Sequence, residues 1–170
     1  NLNGTSAYIT AGNKFKYPSA FTIELWAYNS NWNATTSQTI ISCFENGGYR
    51  ISINDASAPS PYNSGYLNAV IYNGSNQHLS YKLSNLTVGW HHVAMVYSGT
   101  LFSLYVDGVL RESKAVSETV QYNSSNSLLI GAEAGSGTMP AGQYWKGYID
   151  EIRIWNSSQS ALSIEDWMFR

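Results

Sequence analysis

Residues 145–156 read WKGYIDEIRIWN, the most strongly patterned segment of the chain, and lie where a last strand would close a sheet. Successive side chains of a β-strand point to opposite faces, so this segment divides into two rows. The first row is Tyr148, Asp150, Ile152 and Ile154, and the second is Ile149, Glu151, Arg153 and Trp155. The row with two isoleucines is predicted to face the core, which places the carboxylate of Asp150 inside. A buried carboxylate needs a cation or several N–H donors to compensate its desolvation.

Short strand-like runs separated by turn signals fill the rest of the chain. Residues 21–28 alternate cleanly between apolar and other side chains, and residues 90–97 are apolar on both faces, as in a central strand between two layers. The sequences NGG at 46–48 and DG at 107–108 are typical of hairpin turns. About a dozen strands with turns every 8–12 residues predict an all-β sandwich or barrel. The one predicted helix is a single turn capped by Ser163.

Length and composition indicate one globular domain that spans residues 1–170. Only 12% of the residues are charged and the net charge is −2, so no basic footprint for nucleic acid is present. The chain is rich in Asn, Ser, Gly and Tyr, a composition that suits a neutral polar ligand such as a sugar. Secreted all-β proteins that bind no such ligand have the same composition, so both interpretations stay open.

The sequence also bears on compartment and context. The single cysteine, Cys43, lies in the apolar run TIISCF and is predicted to be a small core residue. No stretch has the length of a transmembrane span, so no membrane insertion is expected. The chain begins at Asn1 without a signal peptide, which suggests a mature protein or a domain of a larger chain with flanking domains.

Four segments together resemble one family: FTIELWAY at 21–28, GWHHVAMVY at 89–97, LYVDGVL at 104–110 and WKGYIDEIRIWNSSQSALSIED at 145–166. They resemble the laminin-G-like, pentraxin-like branch of the concanavalin A-like lectin/glucanase superfamily. The resemblance implies a jelly-roll sandwich of two antiparallel sheets with about six strands each. It does not settle function, because the fold hosts lectins, adhesion modules, glycosidases and structural domains.

The sequence gives little support to catalysis. Hydrolases of the superfamily resemble one another in an E-[ILV]-D-x-x-E strand, and this chain has no such strand. Glu24 is instead expected to pair with Arg153 across the sheet. His91 and His92 are adjacent on a strand, so they point to opposite faces and cannot serve one site. No Ser/His/Asp or Cys/His arrangement for nucleophilic catalysis can be recognised in the sequence, and the protein is predicted not to be an enzyme.

The resemblance implies a structural Ca²⁺ ion. The ligand in superfamily members with a related ending is the aspartate that matches Asp150, together with backbone carbonyls from the N-terminal segment and from an early hairpin turn. In this chain those carbonyls correspond to Asn3 and Gly47. Carboxylate and carbonyl oxygens suit calcium. The alternative is that Asp150 accepts N–H bonds from those turns or pairs with a cation, without a metal.

The candidate ligand contacts are loop aromatics, on which sugar rings stack. They are Trp32, Tyr62, Tyr66, Tyr122 and Tyr144. Trp32 stands between two asparagines in a polar loop and Tyr62 between two turn signals, which makes these two the best candidates. The alternative is that each ring packs under its own loop. The tryptophans in the family-like segments, Trp26, Trp90, Trp145 and Trp155, are predicted to be structural.

These observations predict a non-catalytic lectin-like module, extracellular or displayed on a cell or virion surface, that binds carbohydrate or another surface ligand. One alternative is a structural or adhesion module of a bacterial surface protein, or of a phage virion or fibre, without glycan specificity. A second alternative is a degenerate glycosidase-like domain. Two carboxylates about 5–9 Å apart across a groove would support that reading.

Overall fold

The structure is a computed structural model that describes residues 1–135 and 139–170. Two six-stranded sheets pack face to face, and every pairing between their strands is antiparallel. The predicted jelly-roll sandwich is therefore confirmed. The first sheet contains, in spatial order, β1 (Leu2–Asn3), β14 (Lys146–Trp155), β3 (Phe21–Asn29), β8 (Gly89–Tyr97), β9 (Leu101–Val106) and β10 (Val109–Ala115).

The second sheet contains β2 (Ile9–Thr10), β11 (Leu129–Ile130), β4 (Gln38–Ser42), β5 (Tyr49–Ile53), β6 (Tyr66–Tyr72) and β7 (Asn76–Lys82). The short strands β12 (Glu133–Ala134) and β13 (Pro140–Gly142) form a separate pair, and a 3₁₀ turn covers Leu83–Asn85. The helix α1 (Ala161–Met168) follows β14. None of the helices in the described ranges has the length and apolarity needed to cross a bilayer.

The core lies between the two sheets and is built from their inward rows. On β3 the predicted alternation is confirmed. The four residues of its inward row are fully buried in the core, namely Phe21, Ile23, Leu25 and Ala27. Cys43 is buried in the same cluster, as predicted. Because these rows point inward, the opposite rows of the same strands form the outer face of each sheet.

The last long strand departs from the predicted alternation. Asp150 is opposite Trp26 and Arg153 is opposite Glu24, so β14 has one more residue than β3 between these two pairs. Glu151 occupies this bulge with a φ of +50°, in the left-handed region. A bulge of one residue reverses the facing of every side chain beyond it.

The placement of Asp150 on the core-facing row is therefore wrong. Ile149, Ile152 and Ile154 pack against the core, whereas Asp150 is exposed on the outer face. A strict two-residue period would place Ile149 and Ile152 on opposite faces. The extra residue brings them to the same face and leaves the carboxylate in solvent.

The C-terminal helix is longer than the single predicted turn. Its cap is Ser160, whose Oγ accepts a hydrogen bond from the backbone N of Ser163 at 3.1 Å. Ser163 is therefore inside the helix. Ile164 is its buried residue and packs against β8 on the outer face of the first sheet. The helix thus covers part of the sheet face that carries the site described next.

Candidate functional site: an aromatic and acidic face of the first sheet

Three aromatic side chains lie side by side on the outer face of the first sheet, one from each of three adjacent strands. Tyr28 of β3 is opposite Tyr148 of β14 on one side and Trp90 of β8 on the other. The ring centroid of Tyr28 is 5.6 Å from each of the other two, and those of Trp90 and Tyr148 are 6.3 Å apart. We call these residues the aromatic triad. Trp90 and Tyr148 are 44% and 46% exposed, so two rings of the triad are available to a ligand.

A groove adjoins the triad at the next row of the sheet. It is open to solvent, has a volume of about 330 Å³ and is lined by Trp26, Trp90, Asp150 and Glu151. Asp150 and Trp26 form a cross-strand pair, so the carboxylate lies beside the indole. The groove therefore combines an aromatic wall with an acidic rim.

The two carboxylates of the rim differ in their partners. Oε2 of Glu151 lies 2.6 Å from Nη2 of Arg153. Oδ1 of Asp150 accepts the backbone N–H of Glu151 at 2.9 Å, and no described Lys, Arg or His side chain forms a salt bridge with it. Asp150 is thus an exposed anion without a cation.

A buried polar cluster lies in the sheet beside the groove. Glu24 is inaccessible to solvent, and its Oε1 lies 3.4 Å from Nη1 of Arg153, which confirms the predicted pair. His92 is also fully buried, with Nε2 3.8 Å from Oε2 of Glu24. Burial raises the pKa of Glu24 to about 7, against the opposing effect of Arg153. Burial disfavours the charged form of His92 as well, which for a base lowers the pKa, here to about 4.

The C-terminal segment seals this cluster. The indole N–H of Trp26 donates to the carbonyl of Met168 at 3.3 Å, and Nη2 of Arg153 donates to the carbonyl of Arg170 at 3.1 Å. Trp167 packs on Trp155, with ring centroids 6.1 Å apart. Glu24 therefore cannot reach a molecule in the groove, although its pKa suits an acid–base group.

Trp32 is not the exposed loop aromatic that was predicted. It is 1% exposed, its Nε1 donates to the carbonyl of Gly89 at 3.1 Å, and its ring contacts those of His91 and Trp145 at centroid distances of 5.5 Å. The expectation that this ring is available to a ligand is therefore wrong. The loop folds inward because the indole gains apolar burial and a satisfied N–H together.

Replacing Trp32 with phenylalanine should destabilise the protein without affecting ligand binding. The lost hydrogen bond leaves the Gly89 carbonyl without that donor, and we expect a decrease of about 1–2 kcal/mol in the free energy of unfolding. Urea denaturation followed by tryptophan-independent far-UV circular dichroism measures this decrease. A variant of unchanged stability that loses affinity for a glycan would restore Trp32 as a ligand contact.

Tyr62 and Tyr66 are the two predicted contacts that the structure brings together. Their ring centroids are 5.1 Å apart and Tyr62 is 41% exposed. Tyr62 lines a cavity of about 330 Å³ where β7 of the second sheet meets β10 of the first, together with residues that include His78 and Lys114. A role for the two tyrosines in ligand binding stays a prediction.

The remaining two predicted contacts lie apart from that pair and from each other. The hydroxyl of Tyr122 donates to the carbonyl of Tyr17 at 3.2 Å, and its ring packs edge-on against Tyr49, so it is a half-buried satellite of the core. Tyr144 is half-buried beside Tyr8 and lines a different polar pocket. The five predicted aromatics therefore do not form one site.

The residues predicted to bind calcium do not fit one metal ion. Asn3 is paired with Lys146 in the ladder between β1 and β14, and the backbone carbonyl of Gly47 already accepts the backbone N–H of Glu45 at 3.2 Å. Gly47 lies in the turn between β4 and β5 of the second sheet, whereas Asp150 is on the outer face of the first sheet. In residues 1–135 and 139–170, no group of three or more His, Cys, Asp or Glu side chains is placed to hold a metal. Calcium binding itself stays a prediction.

Sequence reasoning does not identify the aromatic triad, because Trp90 lies in a family-like segment whose tryptophans are predicted to be structural. The signal was nevertheless present in the strand alternation. If Leu25 and Ala27 face the core, then Trp26 and Tyr28 must face outward. The same parity on β8 places Trp90 outside. What the sequence could not show is that these rows come from adjacent strands.

Comparison with known proteins identifies the fold. A family model described as the Concanavalin A-like lectin/glucanases superfamily matches residues 3–165. No curated protein matches the chain. The botulinum neurotoxin serotype D binding domain superposes with a TM-score of 0.67 and 15% identity over 99% of this chain and 41% of that chain. A heptameric SAP-like pentraxin from Limulus polyphemus gives a TM-score of 0.67 and 15% identity over 96% of this chain and 78% of that chain. At such identities the likeness shows the fold alone, and the chain spans less than half the length of the toxin domain.

Proposed function

We propose that this chain, which belongs to the concanavalin A-like lectin/glucanase superfamily, is a non-catalytic lectin-like module that binds carbohydrate on the outer face of its first sheet. The observation that carries the proposal is the aromatic triad, with two half-exposed rings beside an open groove. We place the module outside the cell or on a cell or virion surface, as part of a larger protein. The similar fold of a botulinum neurotoxin binding domain supports a binding role.

The triad has the properties of a stacking platform. Trp90 and Tyr148 keep nearly half of their surface in water although the core between the sheets is complete without them. Large apolar rings left adjacent on a surface mark an interaction site more often than isolated ones do. Their edge-to-face contacts with Tyr28 fix the orientation of the rings before a ligand arrives, which reduces the entropy lost on binding.

The position of the carboxylates supports binding without hydrolysis. A glycosidase needs one carboxylic acid and one carboxylate on either side of the scissile bond. Glu24 has the raised pKa of such an acid, but it is sealed under the C-terminal segment and engaged with Arg153. The acidic residues of the groove, Asp150 and Glu151, are neighbours on one strand and line the same rim.

Replacing Trp90 or Tyr148 with alanine should weaken glycan binding by about tenfold or more, or about 1.4 kcal/mol for each ring. The first step is a glycan array with the wild type, and the second is calorimetric titration of a bound glycan into each variant. Tyr62→Ala is the matched control, because it removes a similarly exposed ring from the loop between β5 and β6, outside the aromatic triad.

Two outcomes would oppose this proposal. If Tyr62→Ala loses affinity while Trp90→Ala retains it, the ligand binds the cavity that Tyr62 lines instead. If the wild type binds no glycan at all, a structural or adhesion module without glycan specificity becomes the better description. Circular dichroism spectra must show that the wild type and each variant are folded.

A further inference from the structure

We propose that the groove beside the aromatic triad selects a cationic sugar, a glycan with free amino groups whose ammonium binds Asp150 while its rings stack on Trp26 and Trp90. This inference rests on the proposed function and adds the charge of the ligand. Its basis is the combination of an uncompensated carboxylate with two indole rings in one groove.

The charges around the groove do not balance. Two exposed carboxylates, those of Asp150 and Glu151, line the groove, and among the described residues the guanidinium that pairs with either of them is that of Arg153. Arg153 divides its two Nη atoms between Glu24 and Glu151, so it leaves none for Asp150. Oδ1 of Asp150 has one backbone donor, and Oδ2 accepts no hydrogen bond from the residues that the structure describes.

The aromatic wall favours the same kind of ligand. The face of an indole ring attracts a cation, and tryptophan is the strongest of the aromatic side chains in this respect. Trp26 stands directly opposite Asp150 on the neighbouring strand, so an ammonium held by the carboxylate lies beside the ring. A neutral sugar would gain only the stacking, and an anionic sugar would be repelled by the rim.

The bulge in β14 creates this arrangement. Without the extra residue, the chain beyond Asp150 would keep strict alternation and the side chain of Glu151 would point toward the core. With a φ of +50° at Glu151, its carboxylate reaches Arg153 on the outer face instead. Arg153 is thereby occupied by Glu24 and Glu151, and it forms no salt bridge with Asp150. Bulges that redirect a side chain in this way are frequent next to functional sites.

The test compares three β1,4-linked hexasaccharides that differ in charge: the hexamers of glucosamine, of N-acetylglucosamine and of glucose. Calorimetric titration should show the glucosamine hexamer binding about tenfold more tightly than the other two, the usual contribution of one charge-assisted contact. This preference should decrease as salt is added, because the contact is exposed. It should disappear at a pH that deprotonates the amines of the ligand.

Two variants assign the preference to a residue. Asp150→Asn should bind the glucosamine hexamer no more tightly than the N-acetylated one. Glu165→Gln removes the same charge from an exposed position of α1 and should keep the preference. Circular dichroism confirms that both are folded.

The outcomes separate this inference from the proposed function. Equal binding of all three hexamers by the wild type overturns the inference and leaves the carbohydrate site standing. Binding of none of them, nor of any glycan on the array, overturns both. A preference that survives in Asp150→Asn overturns the role of Asp150.

Discussion

Replacing Arg50 with methionine is expected to lower the free energy of unfolding by about 3–5 kcal/mol. Arg50 lies on the outer face of the second sheet, and its guanidinium is almost completely buried. Its Nη2 is 2.5 Å from Oδ2 of Asp55, and its Nη1 contacts Oε1 of Glu133. One cation thus ties the loop that follows β5 and the short strand β12 to the sheet.

The cost comes from the carboxylates that remain. Burial by itself would raise the pKa of Asp55, but Arg50 and Ser57 hold it below its usual value of 3.8. Burial also raises the pKa of Glu133. Arg50 opposes this increase without cancelling it, and the charge of Asp55 adds to it. Without Arg50, two buried groups lose their common partner, and at least one must take up a proton on folding at neutral pH.

The matched control is Arg170→Met, which makes the same change in an exposed pair. Arg170 lies 2.9 Å from Asp166, and both side chains are more than half exposed, so the loss should stay below about 1 kcal/mol. Urea denaturation at pH 7, followed by circular dichroism, compares the two variants. Adding Asp55→Asn and Glu133→Gln to Arg50→Met should recover part of the stability. If Arg50→Met costs no more than Arg170→Met, the cluster does not hold the loop and the strand in place.

The fold was predictable because its signals are local or repeated. Each of three signals constrains the segment next to it: the alternation of residues 21–28, the turn at Asp107–Gly108 and the pattern of residues 145–156. The bulge was not predictable from the alternation alone, since a strict period already places Ile152 and Ile154 on one face, and the extra residue adds Ile149 to that face. The register appears only when Asp150 and Arg153 are aligned with β3.

The site was less predictable because its determinants are distant in sequence. The polar neighbours of Trp32 suggested an exposed ring, but its hydrogen-bond partner, Gly89, is 57 residues away. Likewise, nothing near Arg50 in sequence indicates Glu133, which follows 83 residues later. The composition suggested a neutral polar ligand, which stays a prediction, and the indole of Trp90, which lines the groove, belongs to a segment that also builds the core.

Glu24 and His92 are buried together, and their titrations should change the free energy of unfolding in opposite directions. The resulting pH dependence should therefore become visible only when one of the two residues is replaced. The pKa of Glu24 is 4.5 in the unfolded chain and about 7 in the folded protein. Between these values the folded state holds a proton that the unfolded state has lost, so stability decreases as the pH rises, by about 3 kcal/mol in all.

His92 has the opposite effect over nearly the same range. Its pKa falls from 6.5 to about 4 on folding, so between these values the unfolded state holds the extra proton. Stability therefore increases as the pH rises, again by about 3 kcal/mol. In the wild type the two slopes nearly cancel from about pH 4.5 to 6.5. The other charged groups that face the pair are Arg153, which pairs with Glu24, and Asp107, which acts on His92.

Single substitutions should separate the two slopes. In Glu24→Gln the free energy of unfolding should rise by about 3 kcal/mol, relative to the wild type, between pH 4 and pH 7. In His92→Phe, which keeps a ring against Trp26, it should fall by a similar amount over that range. Urea denaturation at half-unit pH intervals measures both changes. The control is Glu165→Gln, which removes an exposed carboxylate and should follow the wild-type curve. Curves for Glu24→Gln and His92→Phe that run parallel to the wild type would mean that solvent reaches the pair, and that the C-terminal segment does not seal this face of the sheet.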